Sequence, residues 1–240
     1  MSYDWIAALV FLAALILLTV LGRFLAFKIP ALQRMRELNR EADRTKLSRK
    51  RFSEAVDAST RAGLITNLVF YATILPLCVN LEPRPLWRHG VDIVAVLLVF
   101  DLFYYLTHRF LFHGKLLRKV HALHHQARTP TYIDALYVHP LETVIGLVLF
   151  LGSIPLIAAL GGGPLNAVSM AVATLIFTQL NTINHTYVNL PYFPFKTLSD
   201  ITGVHAAHHI DMSHGNYATL TMLYDWILGT YEAPVSRPAP

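Results

Sequence analysis

The sequence predicts an all-α protein, an integral membrane helical bundle of four or five spans with a cytoplasmic, histidine-rich helical cap. Three observations carry this. Hydrophobic residues make up 54% of the 240 residues and charged ones only 15%, a balance far from that of a water-soluble domain. Five long apolar runs recur along the chain. Eleven of the twelve histidines fall between His108 and His214, in stretches that flank those runs.

The first run, Trp5 to about Leu21, is long enough to span hydrocarbon and lacks the basic stretch of a cleaved signal peptide, so it reads as a permanent anchor. Residues 32–60 are rich in Arg, Lys, Glu and Asp. They form either a helix lying on an anionic leaflet or a solvated helical linker. Anchor and basic segment make an N-terminal region, 1–64, ahead of a membrane-embedded domain, 65–240. Its runs cover about Ile65 to Val79, Val91 to Leu106, Val144 to Leu160 and Leu165 to Leu180. Several are short, which keeps the count of full crossings at four or five. Gly161-Gly162-Gly163-Pro164 is a turn between the last two.

Orientation follows from charge. Eleven Lys or Arg residues stand from Arg23 to Arg61, against only Arg84 and Arg88 in the next connection, which places the first connection in the cytoplasm. Threading the spans from there brings His108 to His139 and His185 to His214 to the cytoplasmic face of a bacterial inner membrane or an ER-type membrane. Only His89 lies opposite. The net charge of +5 is not a nucleic-acid signal, because the basic residues gather beside an apolar segment and form no stripe interleaved with aromatics. The single cysteine, Cys78, excludes a disulfide framework and a thiolate metal site, so any metal is held by nitrogen or oxygen.

The histidines form patterns. His121-Ala122-Leu123-His124-His125 places imidazoles at i, i+3 and i+4, within about 100° of arc on a helix, where they can address one point. The spacing recurs as His205-Ala206-Ala207-His208-His209. A lone histidine is more often a satisfied polar side chain than a ligand, but two copies of the triplet point to metal. His108 and His113 differ by about 140° around a regular helix, so one of them sits beyond the helix end or on a distorted turn, with Gly114 as terminator. His139, before Pro140, and His185, after Asn184, complete ten candidate ligands. That number exceeds the demand of one ion and suits two. His214 is a further ligand or a supporting residue. Imidazole alone does not choose the metal.

With these residues in place, the chain resembles the fatty acid hydroxylase/sterol desaturase superfamily of membrane di-iron oxygenases, over about Asp101 to Tyr231. His108-Arg109-Phe110-Leu111-Phe112-His113 and His121-Ala122-Leu123-His124-His125 are similar to its first two histidine boxes. His139-Pro140-Leu141-Glu142-Thr143, Asn184-His185, His205-Ala206-Ala207-His208-His209, Gly215-Asn216-Tyr217-Ala218 and Asp225-Trp226-Ile227-Leu228-Gly229-Thr230 are most similar to the C-4 methylsterol oxidase and C-5 desaturase branch. Asn189 stands where some hydroxylases carry a second histidine four residues after the match to His185, so that a ligand is either missing here or supplied by His139.

The resemblance implies two iron ions, replaceable by zinc on overproduction, with dioxygen as co-substrate. It implies hydroxylation, stepwise oxidation or desaturation of a lipid or sterol-like substrate. The sequence carries no His-Pro-Gly-Gly haem motif, so the electrons are expected from an external donor of cytochrome b5, ferredoxin or reductase type. A zinc-binding membrane transport protein is the competing class, but it would place polar ligands at mid-membrane, and these histidines crowd at one face. With His108 ending the third span and His185 following the fifth, Phe103, Tyr104, Phe177 and Gln179 are expected near the mouth of an apolar substrate cavity. Ala173 then lies deeper, as a selectivity position.

Overall fold

The computed structural model describes residues 2–236 and 239–240. Its helices are α1 (Trp5–Ala26), α2 (Pro30–Leu47), α3 (Lys50–Thr73), α4 (Leu75–Cys78), α5 (Leu86–Thr107), α6 (Arg118–His121), α7 (Pro140–Leu160), α8 (Ala167–His185), α9 (Lys196–His208) and α10 (Leu223–Ile227). A single two-residue parallel bridge, β1 (Val79–Asn80) with β2 (Leu165–Asn166), is the only strand pairing among the described residues. The protein is an all-α membrane bundle.

Four helices are long and apolar enough to cross a membrane: α1, α5 with its continuation to Phe112, α7 and α8. The second apolar run behaves differently from the expectation. It does not stand alone, because α3 begins fifteen residues earlier at Lys50 and is polar over its first half. At 24 residues it is about 36 Å long, enough to return the chain across the bundle. The return is visible at its far end, where the Asp4 amide donates to the Pro76 carbonyl (2.8 Å) and Tyr3 Oη to the Ala72 carbonyl (2.5 Å). A buried stripe of Val56, Ser59, Gly63 and Phe70 turns α3 toward the bundle. The Ser59 hydroxyl meets Thr143 Oγ1 of α7 at 2.8 Å.

The four candidate spans and α3 pack in the spatial order α3, α7, α5, α8, α1, and Phe11 against Tyr71 (5.4 Å between ring centroids) closes the row at the end away from the histidines. The core is built from Phe11, Phe70, Phe100, Phe150, Ile154, Met170 and Phe177. Phe150 stacks on Phe177 at 4.0 Å, and Phe100 meets both edge-on. The outward face of α1 keeps Ile6, Leu9, Ile16, Leu17, Val20 and Phe24 exposed, as a lipid-facing surface requires.

The basic segment forms α2 and the first turns of α3, and α2 is neither a free linker nor a helix held by lipid alone. Its buried side packs on the histidine-bearing end. Asn39 donates to the Tyr187 carbonyl (2.8 Å) and accepts from the Tyr187 amide (2.8 Å), Asp43 accepts from Thr131 Oγ1 (2.7 Å), and Lys46 pairs with Asp134.

Candidate metal centre

α5 ends in a π-helical turn over His108–Phe112, in which the His113 amide donates to the His108 carbonyl at 2.9 Å. The wider turn resolves the 140° problem: His113 returns to the side of His108, with ring centroids 5.0 Å apart. Gly114 makes it possible, because a Cβ there would lie 1.9 Å from the Phe110 carbonyl oxygen. The first triplet begins at the end of α6 and continues into a 3₁₀ turn, His124–Gln126; the second ends α9.

Nine imidazoles come together in two adjoining groups. His108, His113, His121, His125 and His208 form one, and His124, His185, His205 and His209 the other; within each, one nitrogen per ring lies within 4.8 Å of all the rest. The triplets were expected to address one point each. Instead each divides, i and i+4 joining one group and i+3 the other. The reason is angular: i and i+4 are about 40° apart on a helix, whereas i+3 lies about 60° to the other side of i.

Hydrogen bonds fix which nitrogen faces inward. Each of six rings sets Nδ1 against an oxygen: His108 against the Tyr217 carbonyl (2.7 Å), His113 against Met212 (2.9 Å), His121 against Glu142 Oε1 (2.8 Å), His124 against Tyr137 (3.3 Å), His185 against Asn181 (3.0 Å) and His208 against Gly215 (2.6 Å). Only an N–H can face those oxygens, so Nε2 of each carries a lone pair. Yet Nε2 of His108 lies 3.0 Å from that of His121 and 3.1 Å from that of His208, and His124 meets His185 at 3.0 Å. Lone pairs facing one another at that distance repel unless a cation lies among them. The donor set therefore fits two first-row metal ions, and it contains no sulfur.

Burial keeps the rings neutral. It holds His121, His205, His208 and His209 well below the usual imidazole range and His124 down to about 4, with neighbouring imidazoles as the next cause. Neutral rings are the ligating form.

The remaining candidates lie elsewhere. His139 belongs to neither group; its Nδ1 accepts from the Leu141 amide (3.1 Å) and caps α7, a task set by its place just before Pro140. His214 faces Asp211 (3.0 Å) and Glu232 (3.8 Å) outside both groups. Asn184 donates to the Thr219 carbonyl, and the Asn189 amide meets Met35 Sδ at 3.5 Å. His89 bonds Ser169 Oγ (2.6 Å) in the first turn of α8, whose last residue is His185. Sixteen residues of helix, about 24 Å, separate Ser169 from His185.

Sequence reasoning gave no role to three carboxylates. Glu142 orients His121. Asp225 accepts from the Tyr217 and Ala218 amides (2.8 and 2.9 Å), and Asp101 from the amides of Thr219, Leu220 and Thr221. Together they hold the loop whose Gly215 and Tyr217 carbonyls position His208 and His108. Asn216 between them takes a left-handed backbone (φ 60°). A carboxylate inside an apolar run, as at Asp101, was the available signal.

The model of the fatty acid hydroxylase family matches residues 93–230, a span that contains all nine clustered histidines. The chain belongs to the fatty acid hydroxylase family. The match bears out the resemblance drawn from the histidine boxes. Among relatives of this family member, methylsterol monooxygenase 1 of Rattus norvegicus is 28% identical over 172 residues, covering 70% of this chain and 56% of that protein. Very-long-chain aldehyde decarbonylase GL1-9 of Oryza sativa subsp. indica is 32% identical over 179 residues, 70% of this chain and 65% of that one. Methylsterol monooxygenase 2-2 of Arabidopsis thaliana is 28% identical over 154 residues, 62% and 55%. The chain thus spans roughly three fifths of the length of these relatives. No solved structure matches it.

Proposed function

We propose that this hydroxylase-family protein holds two iron ions, one in each histidine group, and uses dioxygen with electrons from an external donor to hydroxylate, or oxidise stepwise, a C–H bond of a lipid or sterol-like substrate. The observation that carries the reading is the meeting of the four-histidine group, which adjoins the five-histidine group, with a cavity of 410 Å³ that runs back between α3, α5, α7 and α8. Iron bound there would supply the redox chemistry that activates dioxygen.

The chain's own residues do the rest. His124 and His185, both of the four-histidine group, stand in the cavity wall, and no ring of the five-histidine group does. An ion held by the four-histidine group would have fewer imidazole ligands than one held by the other group, and it is the one a substrate in this cavity would approach. Deeper in, Phe100, Leu147 and Phe177 supply an apolar wall suited to a chain or ring, and they exclude water. Nearer the metals the lining turns polar, with Ser59, Thr143, Asn181 and Glu142. Of the expected cavity residues, Tyr104 and Phe177 line it. Phe103 is 42% exposed on the outer face, Ala173 is fully buried in helix packing, and Gln179 belongs to a different cavity.

The names of the relatives, which place them in sterol and very-long-chain aldehyde chemistry, support a lipid substrate. The test is anaerobic reconstitution with ferrous iron, then a pulse of ¹⁸O₂ with reductant in the presence of extracted membrane lipids, read by mass spectrometry. A lipid product carrying one labelled oxygen atom is expected, with close to two metal ions per chain. A desaturated product without label would keep the metal reading and change the reaction. Binding of one ion or none would overturn the reading, and zinc in both sites would not, since zinc binds such nitrogen donors more tightly than ferrous iron.

A further inference from the structure

α8 separates the substrate cavity from a second one of 390 Å³, with Thr182 in both walls. The second cavity is bounded by the last turns of α1, by α2 and by the end of α8. It follows α8 from Thr186 back to Gln179, about 10 Å, and so begins where the first span leaves the apolar layer and extends into that layer.

Its wall has an unusual composition. Arg23, Arg36 and Arg40 line it, and no Asp or Glu does. Among the described residues, none of the three guanidinium groups has a carboxylate within ion-pair distance. Arg23 donates to Tyr132 Oη (2.9 Å), and Arg36 lies over the Phe27 ring at 4.2 Å. Below them the surface is mostly apolar, with Phe27, Met35, Ile183 and Leu198. Arginines that merely faced the headgroup layer would need no such trough beneath them.

We propose that this cavity is a binding site for an anionic phospholipid. Its phosphate is held among Arg23, Arg36 and Arg40, and an acyl chain lies in the trough along α8. The guanidinium fork suits phosphate oxygens, and the apolar floor adds what a free phosphate ion cannot use. The bound lipid fills the space beside the last turns of α8, the helix that delivers His185 to the metals.

Native mass spectrometry of the purified full chain in neutral detergent tests this, with dioleoyl phosphatidylglycerol, dioleoyl phosphatidylcholine and inorganic phosphate as probes. One phosphatidylglycerol is expected to bind saturably, about tenfold or more tighter than phosphatidylcholine. The Arg23→Gln/Arg36→Gln/Arg40→Gln variant loses that preference, whereas Arg49→Gln/Lys50→Gln/Arg51→Gln, which removes as many charges outside the cavity, retains it. Ile183→Trp, which fills the trough and leaves the charges in place, also weakens phosphatidylglycerol binding. Melting temperature and metal content are compared across the variants; should the triple variant fail to fold, Ile183→Trp and the two-lipid comparison still decide. Equal binding of the two lipids, an unaffected Ile183→Trp variant, or displacement of the lipid by inorganic phosphate at matched concentration would overturn the proposal. No turnover is needed, so the outcome is independent of whether the oxygenase reading stands.

Discussion

At the scale of single residues, Glu142 joins the histidine groups to the proposed substrate cavity. One carboxylate oxygen holds the Nδ1–H of His121, while Oε2 is buried without a partner and the side chain lines the cavity. Glu142→Gln keeps an acceptor for His121 and should retain both metals. Glu142→Leu removes the acceptor and should weaken metal binding about 10- to 100-fold, as loss of an outer partner of a ligating histidine does. Titration against a chelator of known affinity checks both, and a Leu variant binding like wild type would remove Glu142 from the site. The division of the triplets gives a sharper test. His208→Ala should empty the group of His108, His113, His121 and His125, although its chain neighbours His205 and His209 belong to the other. His124→Ala should empty the group of His185, His205 and His209. In each case about one equivalent of metal should remain, measured by elemental analysis, and loss of both ions from both variants would mean that the groups do not bind independently.

At the scale of elements, the π turn after α5 makes the five-histidine group possible. Gly114→Ala would set a methyl against the Phe110 carbonyl oxygen, so the turn must open and carry His113 away. Selective loss of one metal equivalent is expected, with a destabilisation of about 1–3 kcal/mol, read by thermal melting; an unchanged metal content would show that His113 is dispensable. The histidine pattern was legible in the sequence because ligand spacing is local: the i, i+3, i+4 triplets and the His108/His113 pair are fixed by neighbouring residues. Their partners were not legible, because the assignment of His124 to His185 depends on how the turn after α6 meets the end of α8, and that of His208 to His108 on how α9 meets the end of α5. The extent of α3 was only half legible, since the polar residues of its first half, which approach α7 near Thr143, hide half of the helix from a hydropathy reading. His139 misled because a histidine before Pro140 is also a helix cap, and nothing local separates the two roles. Phe103 and Ala173 misled because a helical position near the ligands does not say which neighbouring helix the side chain faces.

At the scale of the whole molecule, the bundle sets one cavity against the four-histidine group. Gly146 on α7 lines that cavity, and a Cβ there would meet only Tyr104 Cε2, at 3.8 Å, an ordinary contact. Gly146→Leu should therefore fold, keep both metals and shift the products toward shorter or narrower lipids. An unchanged product profile would place the substrate elsewhere. Orientation is a separate matter, decided by charge. Eleven of the twenty Lys and Arg residues stand from Arg23 to Arg61, in and on either side of the connection from α1 to α3, and α2 within it is bonded to the histidine-bearing end through Asn39, Asp43 and Lys46. If the basic excess fixes that connection in the cytoplasm, the metals must lie on the same side, and Trp87 at the start of α5 must lie on the other. In a Cys78→Ser background, an impermeant thiol reagent applied to intact cells should label Trp87→Cys. It should reach Lys50→Cys and Pro240→Cys only after the membrane is opened. All three positions are exposed, so the contrast reports the membrane and not burial within the protein. The reverse pattern would place the two histidine groups outside, where a cytoplasmic electron donor could not reach them, and the proposed reaction would then need a donor on that face.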